Sequence, residues 1–420
     1  MTTYKLISWG ANSHGQLGQG VLSEQCVLPK EIDLSGCDLR PESVKKIVGG
    51  GGHTLILDTE GRVYSCGRND KGQAGVSNTE RTNVLTFQRL SLDGKTMIDV
   101  CCGWDTSAAL TKDGDLYLWG SNRYGQLGDD PSIHSSTSSP ICTIQSGKVK
   151  RISMGLRHTV VVTDNGTVLV CGANSKGQLG LTNMESKQSR DVRHCFTAVS
   201  GLTDVDHVAC GEHHTVVATL NKGTFTTYFF GDNKHGQAGI DPRECTRICP
   251  AYRFVRCDSR FSVSIQIHAG WSHTNILSDG AVYSWGRNSY GQLGRGQSEE
   301  EGCESWRMQR VENLPKIVQL SVGSEHNVAL AGKLSSTMDT CAYICNSLRR
   351  KTWEIMRYVK FNAAETGTIF CWGWNEHGNC GNGNTKDVLL PERLPLPHNS
   401  IGVLVGSGAG HSFAVIKNIN

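Results

Sequence analysis

The chain has 420 residues, with 42 basic and 39 acidic side chains, a formal net charge of +3 and 38% hydrophobic residues. That balance excludes the strongly basic footprint of a nucleic-acid binder, and 49 Gly against 10 Pro in a chain this apolar exclude disorder and point to dense turns. With no run of 18 apolar residues, no signal peptide at Met1-Thr2-Thr3 and 17 scattered Cys, the expectation is a reduced, soluble protein of the cytoplasm and also the nucleus.

The first element in the chain is Trp9-Gly10-Ala11-Asn12-Ser13-His14-Gly15-Gln16-Leu17-Gly18. Its pattern returns at 66–75, 119–128, 171–180, 230–239, 285–294 and 372–381. The Gly that follows the leading apolar residue stands at 10, 67, 120, 172, 231, 286 and 373, in steps of 57, 53, 52, 59, 55 and 87. Periods of this size belong to propellers and solenoids.

A second motif, Gly-x-x-His-Thr, precedes the copies in mid-chain, at 50–54, 155–159, 211–215 and 270–274. Variants stand at 323–327 and 408–412, and 103–107 lacks the His. Between the two motifs lie short β-branched runs such as Thr159-Val160-Val161-Val162 and Thr167-Val168-Leu169-Val170, separated by Asp164-Asn165-Gly166. Such runs around Asn-Gly or Asp-Gly predict antiparallel hairpins. Each unit is a sheet too thin to bury a core alone, so seven packed face to face predict an all-β, seven-bladed propeller.

The two ends of the chain complement each other. The last His motif, at His411, has no following Trp-Gly strand, whereas residues 3–10 form a Trp-Gly strand with no His motif before it. The expectation is a ring spanning 1–420, closed by pairing N- and C-terminal strands in one blade. A solenoid would need caps instead. The long sixth step holds about 33 extra residues near 333–366. They read as a loop, as a basic amphipathic helix around Leu348, Thr352, Ile355, Met356 and Val359, or as translated unspliced sequence.

Enzyme chemistry finds little support. His53, His158, His214, His273, His326 and His411 recur once per unit and would lie too far apart around a ring to hold one ion, so they read as structural hydrogen bonders. Neither Cys101-Cys102 nor the pairs Cys245/Cys249 and Cys341/Cys345 have zinc spacing, and no nucleophile elbow or kinase signature is present. No catalytic residue, metal or cofactor is expected. The two positions before each motif His vary while their frame does not, and variable positions on a repeat scaffold sit at loop mouths where binding concentrates. The candidate partner-binding residues are therefore Trp104, Asp105, Arg157, Glu212, His213, Trp271, Ser272 and Glu325. Two Trp among mixed charges suit a protein-docking face.

These motifs resemble the regulator of chromosome condensation family of seven-bladed propellers over nearly the whole chain outside the insert. Stretches such as Cys102-Gly103-Trp104-Asp105, Gly155-Leu156-Arg157-His158 and Trp372-Gly373-Trp374-Asn375-Glu376-His377-Gly378 look most like its secretion-linked exchange factors. The resemblance implies guanine nucleotide exchange on a Ran-type small GTPase by a monomeric propeller, without covalent chemistry. By motif position it matches Asp105 to an acidic contact and His213 to a His contact. The alternative is a non-catalytic scaffold or adaptor in membrane traffic or nuclear–cytoplasmic signalling.

Overall fold

A computed structural model describes residues 2–77, 82–142, 147–181, 192–221, 224–256, 265–296, 305–332 and 367–419. Among these residues the strands form seven four-stranded antiparallel sheets. Blade 2 is typical, running outward from the axis as Met97–Cys102, Thr106–Thr111, Leu116–Ser121 and Ser136–Cys142. The other inner strands are Val44–Gly49 in blade 1, Val149–Met154 in blade 3, Val205–Cys210 in blade 4, Ile265–Ala269 in blade 5 and Ile317–Val322 in blade 6. Blade 7 joins the ends of the chain. Its inner strands Ser400–Ser407 and His411–Asn418 continue into Tyr4–Asn12, with Leu6 opposite Val415 and Gly10 opposite His411, and Ser23–Glu31 lies outermost. Inner strands touch the next blade all the way round, including blade 7 against blade 1. They enclose a channel of about 1630 Å³.

The hairpin expectation holds at the predicted turns, where Gly61, Gly114 and Gly166 take positive φ. The insertion expected at 333–366 lies outside the described residues. On either side of it His326–Ala331 and Ile369–Gly373 pair in register, Leu330 opposite Ile369. No helix among the described residues is long and apolar enough to cross a membrane.

Both motifs act between blades. The backbone carbonyl of the motif Gln accepts a hydrogen bond from the residue after the next blade's motif His: Thr54 on Gln16, Ser107 on Gln73, Thr159 on Gln126, Thr215 on Gln178, Thr274 on Gln237 and Asn327 on Gln292. Asn379 replaces Gln in blade 6, and its carbonyl takes Ser412. Indole N–H groups of Trp119, Trp285 and Trp372 donate to the same carbonyls. Where Cys66 and Cys171 replace Trp, their Sγ atoms point at those carbonyls from 3.4 and 3.6 Å.

The six histidines complete this frame. Each ring Nε2 meets the Thr, Ser or Asn of the following blade at 2.8–3.5 Å. Thr215 Oγ1 spends its hydrogen on the Gln178 carbonyl, so it accepts from His158 Nε2–H, which fixes the neutral tautomer. Burial lowers the pKa of His158, His214, His326 and His411 to about 3 and that of His53 to about 4. These five are neutral, and all six pin blade to blade as the structural hydrogen bonders that the sequence reading expected.

Candidate functional site

The turns carrying the variable pairs gather round one end of the channel and, among the described residues, are tied blade to blade at six of the seven junctions, all but that between blades 2 and 3. The amide of the first variable residue donates to the next blade: Gly51 to Trp104 O (2.7 Å), Leu156 to Glu212 O (3.3 Å), Glu212 to Trp271 O (3.1 Å), Trp271 to Ser324 O (2.7 Å) and Ser324 to Ala409 O (3.1 Å). Ala409 returns to Gly50 O at 3.0 Å. The carbonyl of the second variable residue accepts from the residue after the Trp-Gly or Cys-Gly step, as Asp105 does from Ser121 at 2.9 Å. Such close approach requires Gly120, whose φ is +103 and whose missing Cβ would fall against the Asp105 carbonyl oxygen. With the backbone so fixed, only side chains distinguish one blade from another.

Trp104 and Trp271 come from blades three apart, yet they meet over the axis with ring centroids 5.2 Å apart at 46°. Both line the channel mouth. Trp104 also lies over Gly51, where a Cβ would come within 2.6 Å of the indole. Beside them Asp105 is half-buried, and burial raises its carboxyl pKa against the Ser121 hydroxyl and the Arg157 and Arg68 guanidiniums. Arg157 is exposed, its guanidinium 4.4 Å above the Tyr124 ring. His213 sits 3.5 Å from Glu212; burial lowers its pKa, and the carboxylates of Glu212 and Asp232 oppose the shift.

Two of the expected contact residues are buried in the unbound chain. Ser272 is 6% exposed and Glu325 4% exposed, so neither stands on the open face. Glu325 is turned inward because blade 5 supplies its partners: Gln292 Nε2 at 2.5 Å and Arg287 at 3.4 Å, with His273 Nδ1 3.7 Å away. A buried carboxylate held this way is part of the frame.

Other residues of this face went unread in the sequence. The loops after the Trp-Gly strands open on the same side, and Arg68, Tyr124, Arg287, Tyr290, Trp374 and His377 stand on them. Trp374 lies 6.4 Å from Tyr290 and 5.4 Å from His377, ring centre to ring centre. The available signal was the same one used for the pairs, since these positions also vary inside a constant motif.

The RCC1-like domain model matches residues 5–338, and the regulator of chromosome condensation repeat model matches residues 366–415. The chain is 32% identical over 439 residues to the secretion-regulating guanine nucleotide exchange factor of Bos taurus, spanning 99% of this chain and 84% of that protein. It is 29% identical to the ultraviolet-B receptor UVR8 of Arabidopsis thaliana, over 90% and 76% of the two chains. Among solved structures it is similar to Prp20p of Saccharomyces cerevisiae, which was studied for its binding to Gsp1p and histones. The TM-score is 0.79 at 22% identity, over 100% of this chain and 92% of that one, a likeness of fold.

Proposed function

The chain belongs to the RCC1-like domain family, and on that footing we propose that it is a guanine nucleotide exchange factor for a Ran-type small GTPase, with a role in regulating secretion. The supporting observation is the convergence of symmetry-breaking side chains on a single channel mouth built on an otherwise repeated frame. Exchange needs no covalent step. The factor binds the nucleotide-free GTPase more tightly than the loaded one and so shifts the population toward release. In this reading Trp104 and Trp271 are the apolar anchors, and Arg157 and Glu212 orient the partner. Asp105, half-desolvated in the unbound protein, offers a carboxylate to a GTPase cation left unpaired as phosphate departs, and His213 adds a ring nitrogen beside it. Ser272 and Glu325 support the face from beneath. The chain acts as one monomeric propeller in the cytoplasm and nucleus, with 333–366 an insertion in its sixth blade.

Release of fluorescent GDP across a panel of small GTPases tests this. One Ran-type member should release faster, and Asp105→Ala or His213→Ala should slow that release about tenfold or more, as expected for the loss of a half-desolvated polar contact. If no GTPase releases faster, the exchange reading fails. A GTPase that binds this face without releasing nucleotide leaves the adaptor reading standing.

A further inference from the structure

The junction between blades 5 and 6 is a filled clasp. Gln292 Nε2 and the Arg287 guanidinium hold the Glu325 carboxylate, and the guanidinium lies 4.9 Å above the Tyr290 ring. The junction between blades 2 and 3 repeats its parts. Tyr124 and Gln126 occupy the same motif positions, with the Tyr124 amide on Gln126 Oε1 at 2.8 Å, as the Tyr290 amide is on Gln292 Oε1 at 2.9 Å. A guanidinium again covers the Tyr ring, 4.4 Å away, but it comes from Arg157, which takes the place in the motif that Glu325 has in blade 6. The carboxylate is the one part missing.

Its absence leaves a mark. Gln126 is 1% exposed, and its Nε2 has no hydrogen-bond partner among the described residues. A buried donor left unpaired keeps its full desolvation penalty. Elsewhere the same amide finds an acid: Gln73 Nε2 reaches Asp70 at 3.2 Å and Gln237 Nε2 reaches Asp232 at 2.9 Å. Asp105, on the His-motif turn of the same blade, is paired with the Ser121 hydroxyl. One junction further on, Gln178 Nε2 is unpaired as well, beside His213 and with Lys176 in the Tyr124 position.

We infer that the two junctions flanking blade 3 form a docking slot for carboxylates of an acidic segment on a partner protein, with Gln126 Nε2 and the Arg157 guanidinium clasping one carboxylate as Gln292 and Arg287 clasp Glu325. A guanidinium stacked on Tyr124 is already oriented, so little side-chain freedom is lost when it pairs. The charge-assisted bonds formed there are of the strong class. The slot goes beyond the exchange reading and does not depend on it, since its ligand is defined by carboxylates and not by a nucleotide-binding fold.

Fluorescence anisotropy on the full chain tests it, with a labelled peptide of alternating Glu and Gly and a Gln–Gly peptide of equal length as control. The Glu peptide should bind at least tenfold more tightly. Gln126→Glu keeps the acceptor that the Tyr124 amide needs but turns the donor into a repelling oxygen, and it should erase that margin, as should Arg157→Ala. Gln126→Met replaces Gln126→Glu should the latter not fold. Equal binding of the two peptides overturns the inference. So does a margin lost in Arg157→Ala but kept in the Gln126 variants, because that would be surface charge alone.

Discussion

Mild acid should unfold this protein through its histidine pins. Five of them, at 53, 158, 214, 326 and 411, have folded-state pKa values of about 3 to 4 because burial disfavours the imidazolium. In the unfolded chain each returns to about 6.5. Below that pH the unfolded state takes up protons that the folded state refuses, so the stabilisation is complete above pH 6.5 and is lost as pH falls. From pH 7.5 to 5.5 the loss is about 1.4 kcal/mol per histidine, or about 7 kcal/mol for the five. His207 and His268, each lowered to about 4 by burial, add to it in the same direction. A domain stable by about 5–15 kcal/mol would be brought close to its unfolding midpoint. Urea unfolding followed by tryptophan fluorescence at half-unit pH steps measures the effect, with the slope of stability against pH giving the number of protons. His158→Gln should lower stability at pH 7.5 yet remove one proton from the slope. A stability that changes by less than about 2 kcal/mol between pH 7.5 and 5.5, where linkage gives about 7, would refute the neutral-pin account.

Other perturbations test the frame and the face separately. Thr215→Val removes the hydroxyl that links His158 to the Gln178 carbonyl, and should cost about 2–4 kcal/mol in chemical denaturation because it strands two buried groups. Gly120→Ala sets a Cβ at φ +103 against the Asp105 carbonyl and should cost at least about 2 kcal/mol, whereas Gly36→Ala, with nothing within 4 Å of its Cβ, should change stability by less than about 0.5 kcal/mol. A double-mutant cycle of Trp104→Ala and Trp271→Ala should give a coupling of about 0.5–1.5 kcal/mol, the range for a direct aromatic contact. Trp104→Ala alone should also make Trp271 fluorescence more accessible to acrylamide.

The repeat frame was legible because every blade solves the same packing problem, so Gly and Asn return at fixed offsets in each copy, and His and Gln in all but one, with the same backbone contacts between blades. The pairing of the terminal strands followed from two incomplete units. Side-chain direction at the mouth was not legible in the same way, because it depends on what the neighbouring blade contributes. Glu325 and Arg157 hold the same place in the motif, yet one is buried by Arg287 and Gln292 while the other lies exposed over Tyr124. Nothing local in the sequence brings Trp104 to Trp271, since their contact spans the axis and exists only once the ring is drawn together. Tyr124, Tyr290 and Trp374 were passed over for a different reason. They sit inside the more regular of the two motifs, where constancy of the frame masked variation on its outer side.

The composite blade has a consequence for how the chain is made. Residues 4–12 are synthesised long before the strand they pair with, His411–Asn418. Until then Trp9, fully buried in the finished ring, lacks its place against Asn379, and the inner face of blade 1 lacks the histidine at 411 that meets Thr54. Until His411–Asn418 follows, synthesis therefore carries an unsealed arc with an apolar flank at each end. Such an arc is a natural client for a chaperone that shields flanks and releases the chain only when its ends can meet.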